Sequence, residues 1–325
     1  MNVVLFGATD LSQLVAEALI ASGMRVAGVI TVPRHFGISY RRDGVENVRF
    51  ADLDAWAKAH SIPTIQWTDA ATTCDFIDSV GGQFGLVAGW YHMVPESVRQ
   101  QLERGCAGIH ASLLPQMRGG APLNWAILTG ARRTGVTLFE LSDGVDDGPV
   151  YRQAEIHLGE RPVITELVEE ANTRSVDLVK ECIPRIADGT LRPVPQSGTP
   201  SYSLQRTPED GAIDWRQSTQ AIDRLLRATS HPYPGAFTSL NGEVIRIWSA
   251  EPLGDVRVHG VPGQLWRMPN ELSPCVVTGD GSLILQDATD DHGVSVIDDL
   301  ARRAHQRLDA LAAPGGHPRT SDLDR

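Results

Sequence analysis

The chain has 325 residues, of which 42% are hydrophobic and 21% charged, and its formal net charge is −11, from 29 Lys and Arg against 40 Asp and Glu. That length suits about two domains of roughly 150 residues, with a core that needs no disulfide or metal staple. The composition excludes a disordered chain, the charge argues against nonspecific binding to nucleic acid or an anionic membrane, and no apolar run approaches the roughly 18 residues of a membrane span.

The N-terminus, Met1 to Gly7, reads straight into a strand without a basic leader or cleavage site, so no signal peptide is expected. Val3-Val4-Leu5-Phe6-Gly7 is a short apolar run, and Leu11, Leu14, Val15, Ala18 and Leu19 then repeat at helical spacing. Further strands are expected at 25–31, 63–67, 84–90, 106–110 and 134–139, with helices at 53–60, 70–79, 95–103 and 121–129 between them. This alternation predicts a mostly parallel sheet covered on both faces, with ligands at the carboxyl ends of its strands. One long helix is expected over 163–188. The stretch from Leu191 to Tyr202 carries Pro193, Pro195, Gly198 and Pro200, which is linker chemistry. After a helix at 216–229, hairpin signals at Asn241-Gly242 and Gly279-Asp280-Gly281 predict a small β-rich domain. The expected division is 1–190 catalytic, 191–204 linker, 205–312 second domain and 313–325 a frayed tail. Cys74, Cys106, Cys182 and Cys275 form no CxxC pair and read as free thiols of a reducing cytoplasm.

Absences narrow the chemistry. There is no GxxxxGK[ST] loop and no HExxH, and no metal site is expected. The first strand ends in Gly7-Ala8-Thr9-Asp10, not GxGxxG, and the second ends in Thr31-Val32-Pro33 without an acidic residue, which removes both parts of a dinucleotide site. Gly7 reads as a tight strand-to-helix turn.

The informative stretch runs from Gly108 to Val150. His110 falls at the end of a buried strand, Leu113-Leu114-Pro115 follows as a rigid apolar loop, and Asp143, Asp146 and Asp147 share a later loop with Gly144 and Gly148. A carboxylate beside an imidazole orients it and favours its protonated form, which suits proton transfer near neutral pH. Ser112, two residues from His110, leaves a serine nucleophile open on spacing, although it lacks the GxSxG turn.

On these residues the chain resembles a family. His110-Ala111-Ser112-Leu113-Leu114-Pro115, Arg118-Gly119-Gly120-Ala121-Pro122 and Gly144-Val145-Asp146-Asp147-Gly148 are similar to the 10-formyltetrahydrofolate-dependent formyltransferases. Arg206-Thr207-Pro208-Glu209-Asp210 with Asp214-Trp215, and His231-Pro232-Tyr233-Pro234-Gly235-Ala236-Phe237, resemble the start of that family's C-terminal domain. The resemblance covers about residues 1–310. It implies an α/β Rossmann-like formyltransferase domain followed by a small OB-like β-rich domain, with N10-formyltetrahydrofolate as formyl donor. It implies His110 and Asp146 as catalytic residues, and places the family's asparagine at Gly108, a departure. That amide would steady an oxyanion, and loss of one such donor costs about 10²–10³ in rate. Three compensations stand open: a donor from Tyr91, His92 or Asn124; a water in the space left by the side chain; or weaker activity. The folate is expected against Trp90 and Tyr91, which read equally as core aromatics, and against Ser112, Leu113, Leu114, Pro115, Ser142, Asp143, Gly144 and Val145.

The acceptor is less legible. The loop from Val32 to Asn47 holds Arg34, Arg41, Arg42 and His35 without a dense basic run. The Trp90-Tyr91-His92 segment resembles sugar N-formyltransferases. The preferred expectation is therefore a small-molecule amine partner, a TDP- or UDP-linked amino sugar, contacted by Arg118, Asn124 and His92, with Arg118 or Arg34 on its diphosphate. Nucleic acid and membrane partners are not expected, and a homodimer stays open. The alternatives are a hydroxyornithine side chain in siderophore synthesis, initiator methionyl-tRNA, and a folate- or nucleotide-binding module without catalysis.

Overall fold

The computed structural model describes residues 1–38, 41–254, 256–269 and 272–309. The tail expected at 313–325 lies outside the described residues. The chain divides into two compact units, the first of residues 1–123, 132–158 and 166–204, the second of 124–131, 159–165 and 205 onward.

In chain order, the elements running through the first 204 residues are β1 (Asn2–Phe6), α1 (Asp10–Ala21), β2 (Arg25–Thr31), β3 (His35–Ile38), β4 (Arg41–Glu46), α2 (Leu53–Ala59), β5 (Thr64–Gln66), α3 (Ala70–Ser79), β6 (Phe84–Val87), α4 (Glu96–Gln100), β7 (Cys106–His110), β8 (Arg118–Gly119), α5 (Pro122–Leu128), β9 (Arg133–Glu140), β10 (Val150–His157), α6 (Ile164–Ala187) and β11 (Tyr202–Ser203). Among the described residues the main sheet has the order β10-β9-β7-β6-β1-β2-β5. The five strands β7-β6-β1-β2-β5 are parallel, which explains their unbroken apolar runs: Val3, Val4, Leu5, Phe6, Ile30 and Leu86 are fully buried because both faces are covered. Strand order reverses between β1 and β6, so the ligand crevice of such a sheet opens at their carboxyl ends. Gly7 closes that end of β1; a Cβ there would lie 2.4 Å from Ser12 Oγ.

Two parts of this sheet were not foreseen. β9 runs antiparallel to β7, and β10 antiparallel to β9. The β9–β10 connection is a short loop with no crossover helix, which permits only the antiparallel arrangement. β10 also alternates exposed polar residues, so it lacks a strong apolar signal. Likewise the loop after β2 contains the β3–β4 hairpin.

The second unit holds α7 (Thr219–Thr229), β12 (Ala236–Leu240), β13 (Glu243–Pro252), β14 (Leu265–Trp266), β15 (Cys275–Val277), β16 (Ser282–Asp290) and α8 (Ile297–Arg302). Its antiparallel sheet has the order β12-β13-β16-β15-β14. Asn241 and Gly242 both have positive φ, 54° and 86°, the two-residue turn that matches strand twist. Trp215, Ile222, Leu226, Ile247 and Leu285 share the core, with Trp215 Nε1 donating to Thr238 Oγ1 at 3.0 Å. No described helix is long and apolar enough to cross a membrane.

The second unit buries one carboxylate. Asp223, 5% exposed, accepts from Arg161 Nη2 at 2.7 Å and from Arg227 Nη2 at 2.8 Å. Both guanidiniums also donate to carbonyls, of Ala250 and Pro162. Removing one member of such a group strands the others, so Asp223→Ala should cost about 3–5 kcal/mol, read from the shift in urea-unfolding midpoint.

Candidate active site

β7 carries His110 to the carboxyl edge of the sheet, where it is 8% exposed. The chain then folds back in a loop locked from below. Thr137 Oγ1 donates to Ser112 O at 2.6 Å and accepts from Leu114 N at 3.2 Å, while Gln153 Nε2 donates to Leu114 O at 2.8 Å. Ser112 donates its hydroxyl to Gln116 O at 2.5 Å, which directs it into the loop instead of toward His110.

This folding brings Met117 O to 2.7 Å from His110 Nε2. A carbonyl only accepts, so Nε2 carries the proton. Nδ1 then faces Asp146 Oδ2 at 3.4 Å. In the neutral ring, a lone pair meets a carboxylate there; once Nδ1 takes a proton, the same contact becomes an ion pair. Nδ1 is thus the ring nitrogen left open to take a proton. Asp146 Oδ2 is oriented by the amide of Gly119 at 2.8 Å. Asp143 pairs with Arg99 and Asp147 with Ser142 Oγ, so of the three loop aspartates Asp146 is the partner of His110. Both flanking residues sit in left-handed backbone, Met117 at φ 55° and Asp146 at φ 50°, which costs non-glycine residues about 1–3 kcal/mol each.

Gly108 pairs with Phe139 across β7 and β9. A Cβ on Gly108 would lie 2.9 Å from Leu141 Cδ2 and 3.0 Å from Phe139 Cε1. The space directly beside Gly108 is therefore lined by the apolar side chains of Leu141 and Phe139, which offer a water no hydrogen-bond partner. Two of the donors named as substitutes, Tyr91 and Asn124, are engaged elsewhere. Tyr91 OH donates to Asn47 Oδ1 at 2.8 Å, and Asn124 Nδ2 donates to Ala228 O at 2.8 Å within the second unit. Burial holds the His92 imidazole below its usual pKa and keeps it neutral near pH 7.

Beside β6 lies an aromatic wall. Trp90 packs against Phe6, Trp67 and His92 with centroids 5.9, 6.0 and 5.5 Å apart, and Phe36 packs on Tyr91 at 5.0 Å. Trp90 Nε1 is buried with no hydrogen-bond partner among the described residues. Arg99 joins this wall to the loop carrying Ser142, Asp143, Gly144 and Val145: it donates to Val94 O and Leu141 O, both at 3.3 Å, and pairs with Asp143. Among the described residues no cluster of three or more His, Cys, Asp or Glu could hold a metal ion.

Arg118 directs Nε and Nη2 at Gln196 Oε1, at 3.2 and 2.7 Å. Sequence reasoning missed Met117, Arg99 and Gln196. Met117 acts through its main chain, which leaves no residue-type signal, and Gln196 stands among the prolines that mark a linker.

A family model described as formyl transferase matches residues 1–185, and one described as formyl transferase, C-terminal domain, matches 206–302. The chain is 29% identical over 274 residues to a methionyl-tRNA formyltransferase of Thermodesulfovibrio yellowstonii, covering 83% of this chain and 86% of the relative. Among solved structures, HypX from Aquifex aeolicus with tetrahydrofolic acid superposes with TM-score 0.65 at 18% identity, over 94% of this chain and 48% of HypX, so this chain spans about half of that protein. The N-formyltransferase of Helicobacter canadensis, crystallised with folinic acid and dTDP-3-aminofucose, superposes with TM-score 0.64 at 16% identity, over 88% of this chain and 99% of that one. This chain belongs to the formyl transferase family and is a formyl-transferring enzyme.

The packing around Gly108 makes a direct prediction. Restoring the family's amide by Gly108→Asn forces Phe139 or Leu141 to move and should cost about 1–3 kcal/mol. Thermal melting checks this, and adding Leu141→Ala should recover part of the loss.

Proposed function

We propose that this formyltransferase takes its formyl group from N10-formyltetrahydrofolate and passes it to the primary amine of a nucleotide-linked amino sugar. The observation that carries the chemistry is the His110 ring held between Met117 O and Asp146 Oδ2. When bound, the folate supplies a formyl carbon activated toward amines. The buried Trp90 N–H without a partner suits a ring bearing hydrogen-bond acceptors. Trp90, Tyr91 and the segment Ser142 to Val145 would hold that ring, alongside Leu113 to Pro115.

The amine attacks in its neutral form, after its ammonium proton has gone to solvent, and the attacking nitrogen must shed one further proton as it bonds to the formyl carbon. His110 Nδ1 takes that proton, and Asp146 stabilises the resulting imidazolium. The proton on Nε2 stays there, donated as a hydrogen bond to Met117 O, and fixes the ring plane. Nδ1 then holds a proton that it returns to the departing nitrogen. With no amide at Gly108, the imidazolium is also the positive charge that answers charge developing on oxygen.

The choice of a small acceptor rests on the state of the cations after β2. Arg34 lies over the Phe50 ring at 4.8 Å, and Arg49 is bound by Asp10 and by Asn172 Oδ1 at 3.0 Å. Two cations that could follow a phosphate backbone are thus occupied within the fold, which disfavours tRNA. A second reading, formylation of methionyl-tRNA, has its own support in the T. yellowstonii relative. The free thiols of Cys74, Cys106 and Cys182 fit a reducing compartment, and we place the reaction in the cytoplasm.

Single-turnover assays with TDP- and UDP-amino sugars, hydroxyornithine and methionyl-tRNA separate the acceptors. Formylation of a sugar amine is expected; formyl-methionyl-tRNA as the sole product would replace this reading by the second. For the chemistry, His110→Asn should reduce turnover at least about 100-fold with folate affinity retained, and more than about 10% residual turnover would remove the proton-transfer role.

A further inference from the structure

Residues 194–204 are rich in prolines and exposed, yet they are bonded along their length into the first unit. Val194 and Val150 exchange main-chain hydrogen bonds at 2.8 and 2.7 Å, and β11 pairs in parallel with β8. Two contacts reach the carbonyl and amide of Met117: Ser203 Oγ donates to Met117 O at 3.3 Å, and Met117 N donates to Ser201 Oγ at 2.9 Å. This strap therefore grips the left-handed residue whose carbonyl accepts the His110 Nε2 hydrogen bond.

Gln196 grips the other side. Its Nε2 donates to Asp146 O and to Gly148 O, both at 2.8 Å, and its Oε1 accepts from Arg118 Nε and Nη2. Two carbonyls on one end and a guanidinium on the other permit only one orientation of the amide. Asp146 is the second left-handed residue beside His110. Its carboxylate faces Nδ1 only while its backbone keeps that conformation, and Gln196 holds its carbonyl there. Through Arg118, the residue after Met117, the same amide is tied to the Nε2 side. One side chain thus links the two groups that set the plane and tautomer of the imidazole.

We propose that Gln196 is a positioning residue for His110, acting from the strap without touching the reacting atoms. This rests on the reading of His110 as proton acceptor. A glutamine is required because only an amide presents two donors to the paired carbonyls and an acceptor to the guanidinium. Glutamate would keep the Arg118 pair but set a carboxylate against two carbonyl oxygens, and alanine would lose both.

The test compares Gln196→Ala and Gln196→Glu with wild type. Turnover should fall about 100-fold in both, the loss typical of a reacting group misplaced by about 1 Å, while KM for the folate changes less than about 3-fold. Gln196→Glu retains the Arg118 contact and keeps the variant set informative if the alanine variant unfolds. A second readout is independent of activity. In ¹⁵N-histidine-labelled protein, the neutral His110 ring should show one tautomer, protonated at Nε2, in wild type, and a mixture in both variants, with His110→Asn assigning the signal. Wild-type turnover in either folded variant, or an unchanged single-tautomer pattern in both, overturns the proposal. If His110→Asn keeps its turnover, the catalytic reading fails, and the tautomer pattern still decides whether Gln196 sets the ring.

Discussion

The geometry of this protein turns on one imidazole held from two sides. A carbonyl accepts a hydrogen bond from His110 Nε2, and a carboxylate faces Nδ1. Neither group would occupy its position in relaxed backbone, because Met117 and Asp146 both adopt left-handed conformations that ordinary side chains avoid. The surrounding structure must hold them there. The loop over Thr137, the amide of Gly119 and the strap of residues 194–204 do so by hydrogen bonds to named atoms. Strain at the site is thus balanced by order around it.

The same logic explains how the chain accommodates glycine at position 108. β9 runs antiparallel beside β7 and brings Phe139 and Leu141 against that glycine. The strand edge that could have carried a polar amide is filled by apolar packing. The aromatic wall at β6 is built in the same tight manner, with Trp90 packed against three rings and its buried N–H without a hydrogen-bond partner among the described residues.

Much of this was legible beforehand. The parallel strands announce themselves by unbroken apolar runs, the Asn241-Gly242 turn by its residue types, and the contact of His110 with Asp146 by a histidine at a strand end and an aspartate in a glycine-rich loop. The β3–β4 hairpin and β10 were not legible, since their exposed residues carry no apolar period. The strap was read as a joint because Pro193, Pro195 and Pro200 disfavour regular structure. Those prolines do not prevent the side chains and carbonyls between them from bonding to a neighbour.

The sequence by itself determined the local properties: strand and helix runs, turn types, the family motifs, and the pairing of His110 with one aspartate of a loop that holds three. Periodicity, φ preference and residue type are set within a few neighbours, so they can be read along the chain. Tertiary structure decided which nitrogen keeps the proton, what fills the space beside Gly108, and what Gln196 bonds to. These depend on partners distant in the chain, 27 residues from Gly119 to Asp146 and 50 from Asp146 to Gln196, and on main-chain atoms that every residue possesses. Only the packed fold selects among such atoms, because each choice must satisfy all the others at once.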